Sequence, residues 1–237
     1  MKAVVLAGGL GTRLRERVPD LPKPMAPVAG RPFLAYVLDA LTRGGFDDIV
    51  LAVGYRWEAI RDHFGRDHHG AALTYAVENE PLGTGGAVAH AFAAAALGRT
   101  ESALVLNGDT YLGIDFAALR AWHAAVPDAT GIVLRRVADT ARYGSVRVDE
   151  GFVSGFAEKG ESGPCLINAG VYILPADVFA RFALAGRFSL ETDLLQRYCA
   201  ALRARAWITD AYFIDIGVPD DYARAQTELP ALTAAEK

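Results

Sequence analysis

The stretch Ala3-Val4-Val5-Leu6-Ala7-Gly8-Gly9-Leu10-Gly11-Thr12-Arg13 sets the reading of the whole chain. Ala3–Leu6 has no polar residue, which predicts a short strand covered on both faces. It runs directly into glycines, which let a backbone approach an anion closely and turn several N–H groups toward it. Arg13 adds a planar cationic fork for phosphate oxygens, and Thr12 adds a hydroxyl donor. A secretory leader fits less well, because the bulky apolar run spans only Val4 to Leu6 and Arg13, Arg15 and Arg17 follow it. The loop is neither a dinucleotide fingerprint nor a P-loop: the third glycine of G-x-G-x-x-G falls at Leu14, and no Gly-Lys-Ser/Thr follows.

Outward from that strand, apolar runs alternate with helical patterns. Phe33–Arg43 predicts a helix with Phe33, Val37, Leu38 and Leu41 along one stripe, stopped by Gly44-Gly45. Asp48–Val53 returns as a strand. Gly85–Leu97 reads as an alanine-rich helix, and Ala103–Leu106 as a strand ending in Asn107-Gly108-Asp109. Strand, helix, strand in this order implies a parallel sheet with right-handed crossovers. Beyond residue 130 the pattern changes to short strands at Gly131–Val137, Ser145–Asp149 and Phe152–Phe156, with a hairpin turn at Asp149-Glu150-Gly151. Ile167–Leu174 and Tyr212–Ile216 add strands, separated by a helix over Leu190–Arg203. The expectation is an α/β fold: a Rossmann-like, mainly parallel mixed sheet flanked by helices, with a smaller β-rich lobe. No repeat is present.

The chain has 237 residues, of which 52% are hydrophobic and 22% charged, the balance of a soluble globular protein. A formal charge of -4 gives no global attraction to nucleic acid or anionic membranes, so neither is an expected partner. No run approaches ~18 apolar residues, the length a membrane span needs. Cys165 and Cys199 are too few for a disulfide framework and are expected as reduced thiols. The expected location is cytoplasmic. His63, His68 and His69 read as an exposed loop rather than a metal site, and Trp57, Trp122 and Trp207 as packing residues.

Ten residues past Arg13 comes Pro22-Lys23-Pro24-Met25, which holds a lysine between two prolines on a restrained, extended backbone. The pairing of Leu6-Ala7-Gly8-Gly9-Leu10-Gly11-Thr12-Arg13-Leu14 with Pro22-Lys23-Pro24-Met25 resembles the signature of the sugar-1-phosphate nucleotidyltransferases. Later motifs extend the resemblance to about residue 226. It implies a nucleotidyltransferase, glycosyltransferase-A-like fold forming one domain, 1–237. Residues 1–130 would bind mainly nucleotide and 131–228 mainly sugar phosphate.

That resemblance assigns candidate roles. Leu6, Ala7, Gly8, Gly9, Gly11, Thr12, Arg13 and Lys23 would bind the triphosphate, with Asn107 and Gly108 beside it. Glu80-Pro81-Leu82-Gly83-Thr84-Gly85-Gly86 resembles the base-binding turn, where Gly83 and Thr84 would contact nucleotide and the glycines would let a base lie on the backbone. Glu80 there would accept guanine's N1–H and exocyclic amine, which favours GTP. Asp109 and Asp215, each at a strand end, would hold Mg²⁺, a hard ion suited to carboxylate oxygens. Tyr143-Gly144, Glu158-Lys159 and Asn168-Ala169-Gly170 match the family's sugar-phosphate elements; Asp215 would serve that side too. Catalysis would fall to Arg13, Lys23 and Asp109. Phe188–Leu195 and Phe213–Tyr222 look most like the D-glycero-D-manno-heptose 1-phosphate guanylyltransferases, with mannose 1-phosphate guanylyltransferase and glucose 1-phosphate thymidylyltransferase as alternatives. A sensor that binds the same ligands without turnover is the non-catalytic alternative. GTP and a sugar 1-phosphate are the expected partners, with a homo-oligomer left open.

Overall fold

A computed structural model describes residues 1–9, 21–138, 144–157 and 163–235. Strand β1 (Ala3–Leu6) is followed by a single 3₁₀ turn (Lys23–Met25), a small ladder of β2 (Pro27–Val28) and β3 (Arg31–Pro32), and helix α1 (Phe33–Arg43). Then come β4 (Asp48–Val53), α2 (Trp57–Phe64), β5 (Asp67–His68), β6 (Ala71–Val77), α3 (Gly83–Ala94), β7 (Ser102–Asn107), β8 (Thr110–Leu112) and α4 (Phe116–Ala124). The second half contributes β9 (Gly131–Val137), β10 (Ser145–Asp149), β11 (Phe152–Ala157), β12 (Cys165–Pro175), α5 (Val178–Arg181), a π-helical segment (Leu190–Gln196) and α6 (Cys199–Leu202). The last elements are β13 (Arg205–Thr209), β14 (Phe213–Asp215) and α7 (Pro219–Ala235).

Among the described residues, ten strands form one sheet in the order β10-β11-β13-β9-β12-β7-β1-β4-β6-β5. β1 lies between β4 and β7 and pairs parallel with both. The unbroken apolar character of these strands now has a cause. Val5, Leu51 and Leu106 face one core with Phe33, Leu34, Leu38 and Leu41 of α1. Val4, Val50, Ala52 and Val105 face a second core with Val88, Ala91 and Phe92 of α3. Each strand therefore buries both faces, and a polar residue at any of these positions would lose its water without gaining a partner.

β12 joins the halves. It pairs antiparallel with β7 on one side and β9 on the other, and its register with β9 shifts between Asn168 and Tyr172. Gly170 sits in this irregularity with φ +70°, a backbone state that favours glycine. β13 pairs parallel with β9, so the second half is mixed rather than purely antiparallel.

The expected bounds of β1, α1, β4, β9 and β10 coincide with those observed. At the hairpin, Glu150 (φ 47°) and Gly151 (φ 81°) both adopt positive φ, the geometry a tight two-residue turn demands. The helix expected over Leu190–Arg203 is instead two pieces, a π-helical segment and α6. Ser189 caps the first piece by accepting the Thr192 N–H. No helix among the described residues is long and apolar enough to cross a membrane.

Candidate active site

The carboxyl ends of β1, β4 and β7 point to one edge of the sheet, the place where open α/β sheets bind ligands. A cleft of about 830 Å³ opens there. Its floor is the chain leaving those strands: Leu6, Gly8 and Gly9 after β1, Gly54 and Tyr55 after β4, Asn107 and Asp109 at the end of β7. Ala7 is buried and extends the ladder by donating to the Ala52 carbonyl at 2.8 Å. Gly108 is buried as well, and its N–H donates to the Leu6 carbonyl at 2.9 Å. A Cβ on Gly108 would come 2.7 Å from that oxygen, so only glycine lets β7 close onto β1 at this point. Gly11, Thr12 and Arg13 lie outside the described residues.

Lys23 enters the cleft from the 3₁₀ turn. Pro22 is extended (φ -65°, ψ 146°), but Lys23, expected to be extended ahead of Pro24, instead begins the turn, closed by Met25 N–H to Pro22 O at 2.8 Å. Pro24 and Met25 are buried, which fixes where the lysine stem starts. Its ammonium lies 2.5 Å from Asp109 Oδ2 and 3.4 Å from Asp215 Oδ1.

Asp109 immediately precedes β8 and Asp215 ends β14, two strands paired to each other with Asp215 opposite Thr110. Asp215 Oδ1 also accepts the Gly217 N–H at 2.7 Å, and the Asp109 carbonyl accepts the Ile216 N–H at 3.1 Å. Residues 106 positions apart are thus fixed as neighbours by backbone bonds. Both carboxylates remain about a third exposed to the cleft. A seated ammonium between them shows that the pair attracts a cation, and two carboxylates are the hard oxygen donors a divalent metal takes.

At the turn after β6, Glu78 and not Glu80 lines the cleft; Glu80 is exposed and stands outside its lining among the described residues. Glu78 Oε2 accepts the Leu82 N–H at 2.9 Å, and its other oxygen faces Gly8. Sequence reading passed over Glu78 because it did not recognise β6. The alternation Ala71-Ala72-Leu73-Thr74-Tyr75-Ala76 was the available signal.

Gly83 and Thr84 line the cleft, but the glycines of this turn serve packing. A Cβ on Gly85 would lie 2.2 Å from the Phe188 ring, and one on Gly86 would lie 2.4 Å from the Gly186 carbonyl. The space expected for a base at these two positions is filled by residues 186–190. Thr84 Oγ1 donates to Glu191 Oε2 at 2.7 Å and accepts the Leu190 N–H at 2.9 Å, completing the join. Glu191 itself lines the cleft and was not anticipated.

Of the sugar-side candidates, Asn168 and Gly170 sit in the irregular part of β12. Asn168 accepts the Gly170 N–H at 3.0 Å and donates to the buried Tyr172 hydroxyl at 2.9 Å. A Cβ on Gly170 would touch Asn107 at 2.6 Å, which places this bend against the cleft floor. Burial, and the approach of Glu191, push the Tyr172 hydroxyl far above its ordinary pKa, so it stays protonated. Gly144 precedes β10, beside the Ala157 carbonyl. Tyr143, Glu158 and Lys159 lie outside the described residues.

The exposed loop expected of the histidines holds only in part: His63 is exposed but on α2, His69 is exposed in a turn, and His68 is enclosed. His68 is on β5 with its side chain 11% exposed, and its Nε2 lies 2.7 Å from Asp39 Oδ1. His69 Nε2 lies 3.6 Å from the same oxygen, and the three residues could together ligate a metal. Arg31 bonds the other Asp39 oxygen at 2.8 Å, so internal partners already satisfy this carboxylate. Trp57, Trp122 and Trp207 pack against the core, the last two edge to face at 5.4 Å.

Several known proteins are similar to this chain in sequence or in shape. It is 43% identical to the D-glycero-alpha-D-manno-heptose 1-phosphate guanylyltransferase of Campylobacter jejuni over 223 residues, covering 94% of this chain and 97% of the relative. It is 41% identical to the enzyme of the same name from Aneurinibacillus thermoaerophilus, covering 97% and 98%. The crystal structure of HddC from Yersinia pseudotuberculosis complexed with GMP-PN superposes with a TM-score of 0.81 at 36% identity, covering 95% and 97% of the two chains. The nucleotidyl transferase family model matches residues 2–231, and with the strand-end cleft and its lysine–carboxylate cluster already in place, this chain belongs to that family.

Proposed function

We propose that the protein transfers GMP from GTP to D-glycero-α-D-manno-heptose 1-phosphate, releasing pyrophosphate and forming GDP-heptose for surface polysaccharide. The observation that carries the reaction class is the convergence of Lys23, Asp109 and Asp215 at the glycine-floored end of β1. The choice of guanine and heptose is supported by relatives similar over nearly their whole length.

In this reading a phosphate oxygen of the sugar 1-phosphate attacks the α-phosphorus in line, and pyrophosphate leaves. The phosphate monoester is already ionised, so no base is needed; the task is to align two anions that repel each other. The backbone at Gly8 and Gly9, with Gly11, Thr12 and Arg13, would cradle the triphosphate. Lys23 would move onto the α-phosphate, and Lys159 would hold the attacking phosphate. Asp109 and Asp215 would hold Mg²⁺, which supplies charge neutralisation to the phosphates when bound.

Tyr143, Gly144, Glu158, Asn168 and Gly170 would shape the sugar side. The carboxylate that would accept guanine's N1–H and amine is Glu78 rather than Glu80, because Glu78 lines the cleft. The first half of the chain would then serve the nucleotide and the second the sugar phosphate.

Pyrophosphate release, measured with each of GTP, dTTP, UTP, CTP and ATP against heptose, mannose and glucose 1-phosphates, tests this. The expected preference is GTP with the heptose. A preference for dTTP with glucose 1-phosphate would overturn the assignment, and no release from any pair would favour a sensor.

A further inference from the structure

The pairing of Lys23 with Asp109 and Asp215 is more than an ordinary surface ion pair. The lysine side chain is 13% exposed while the carboxylates are 35% and 37% exposed, so the cation is the most enclosed member. Its stem is anchored by buried Pro24 and Met25. Its tip is seated against Gly217, where a Cβ would come 2.7 Å from Nζ and 2.8 Å from Asp215 Oδ1. The cluster thus has a fitted place for one positive group between two carboxylates, and the chain's own ammonium fills it.

We propose that Lys23 is a built-in counter-cation that keeps free divalent metal off the Asp109–Asp215 pair until a nucleotide arrives. The idea rests on the transferase reading given above. Two carboxylates and one ammonium carry a net charge of -1, and a hydrated metal ion meeting them alone must displace a cation already in contact. Without Lys23 the same pair carries -2 and repels itself, the condition under which a divalent ion binds well. A triphosphate changes the balance twice. It brings several negative charges that attract the metal, and its α-phosphate offers the ammonium another partner. The metal and the lysine would then exchange places in one event, so metal enters with the triphosphate and not ahead of it. In the empty enzyme Lys23 also holds the two carboxylates in register, so the metal finds them already aligned.

Manganese binding, followed by water-proton relaxation enhancement, tests this with a signal independent of turnover. Wild type without nucleotide should bind Mn²⁺ weakly. Lys23→Met without nucleotide should bind it at least about ten-fold more tightly, the scale expected on removing one unit charge beside the site at near-surface dielectric. Lys23→Arg, which keeps the charge, should stay near wild type. Adding Asp109→Asn to Lys23→Met should abolish the gain, placing the ion at this pair. Thermal unfolding gives a second readout: Mn²⁺ alone should raise the melting temperature of Lys23→Met but not of wild type.

Equal affinity of wild type and Lys23→Met without nucleotide overturns the proposal, as does a gain that survives Asp109→Asn. Wild type with GTP and no sugar phosphate should show enzyme-bound Mn²⁺. If GTP brings none, the transferase reading fails, whereas the nucleotide-free comparison still decides the role of Lys23.

Discussion

The two sides of the sheet solve the problem of presenting polar groups in different ways. On the side of β1, β4 and β7 the strands are parallel and sealed on both faces, and their cleft residues lie at or beyond the strand ends. On the side of β9 to β13, pairing is mixed, β11 and β13 are largely half-buried, and Asn168 lies within a strand. The first side turns functional groups outward by ending its strands. The second does so by breaking its register at the bend around Gly170. Strand ends are rigid because the cores beneath them are complete, whereas a bend depends on the local bonds that hold it, here those of Asn168.

The sharpest test of this contrast is Asp109→Asn. It should lower turnover by about 10²- to 10³-fold, the cost of losing a group that organises transition-state charge, while the melting temperature stays near wild type. Pyrophosphate release and calorimetry measure the two quantities. A large fall in stability would mean the strand-end carboxylates belong to the scaffold after all.

Gly85→Ala probes the join between the two sides. Helix propensity alone favours alanine by about 0.8–1 kcal/mol. The added Cβ, however, would lie 2.2 Å from the Phe188 ring and 3.0 Å from the Leu190 nitrogen. Overpacking should win, with a net loss of about 1–3 kcal/mol in urea unfolding. A stabilised variant would show that residues 186–190 move freely relative to α3.

Glu78→Gln should shift the ratio of kcat/KM for GTP over UTP by about ten-fold, and Glu80→Gln should leave it unchanged. Equal effects would erase the distinction between a residue at the strand end and one two positions on.

The smallest expected effect is acid sensitivity at Asp39, far from strand-end chemistry. Burial would raise its pKa, but hydrogen bonds from His68 and Arg31 outweigh this and hold it at about 2, below the ordinary 3.8. A depressed folded-state pKa contributes stability above the unfolded value that is lost as pH falls through the folded one. Wild type should therefore exceed Asp39→Asn in stability above about pH 4, and the difference should disappear toward pH 2. A constant difference across that range would assign the effect to shape rather than charge.

What the sequence revealed follows the same division. β1 and β4 were legible because their central residues are apolar and alternate between two cores, and α1 because its apolar stripe meets one core at helical period. Lys23 and Asp109 were legible through motif and strand end, and the structure sets them 2.5 Å apart. β6 was missed because alternate residues such as Ala72 and Thr74 are exposed, which dilutes a weakly apolar run; Glu78 was missed with it. β13 and α7 were also missed. Trp207 and Leu229 reach the core only through long-range packing, and Pro230 lies inside α7, where proline weakens the local helical signal. The contacts of Gly85 and Gly86 could not be read locally either, since Phe188 lies about a hundred positions away.

That last contact bears on how such enzymes can be altered. Gly83, Gly85 and Gly86 are moulded against residues 186–190, and Thr84 is bonded to Glu191. A turn transplanted from a relative with bulkier residues at these positions would arrive without the hollow its new neighbour needs. The turn and the far segment are therefore inherited as a pair. On the proposed reading, grafting another specificity onto this scaffold calls for exchanging residues 78–86 and 186–191 together.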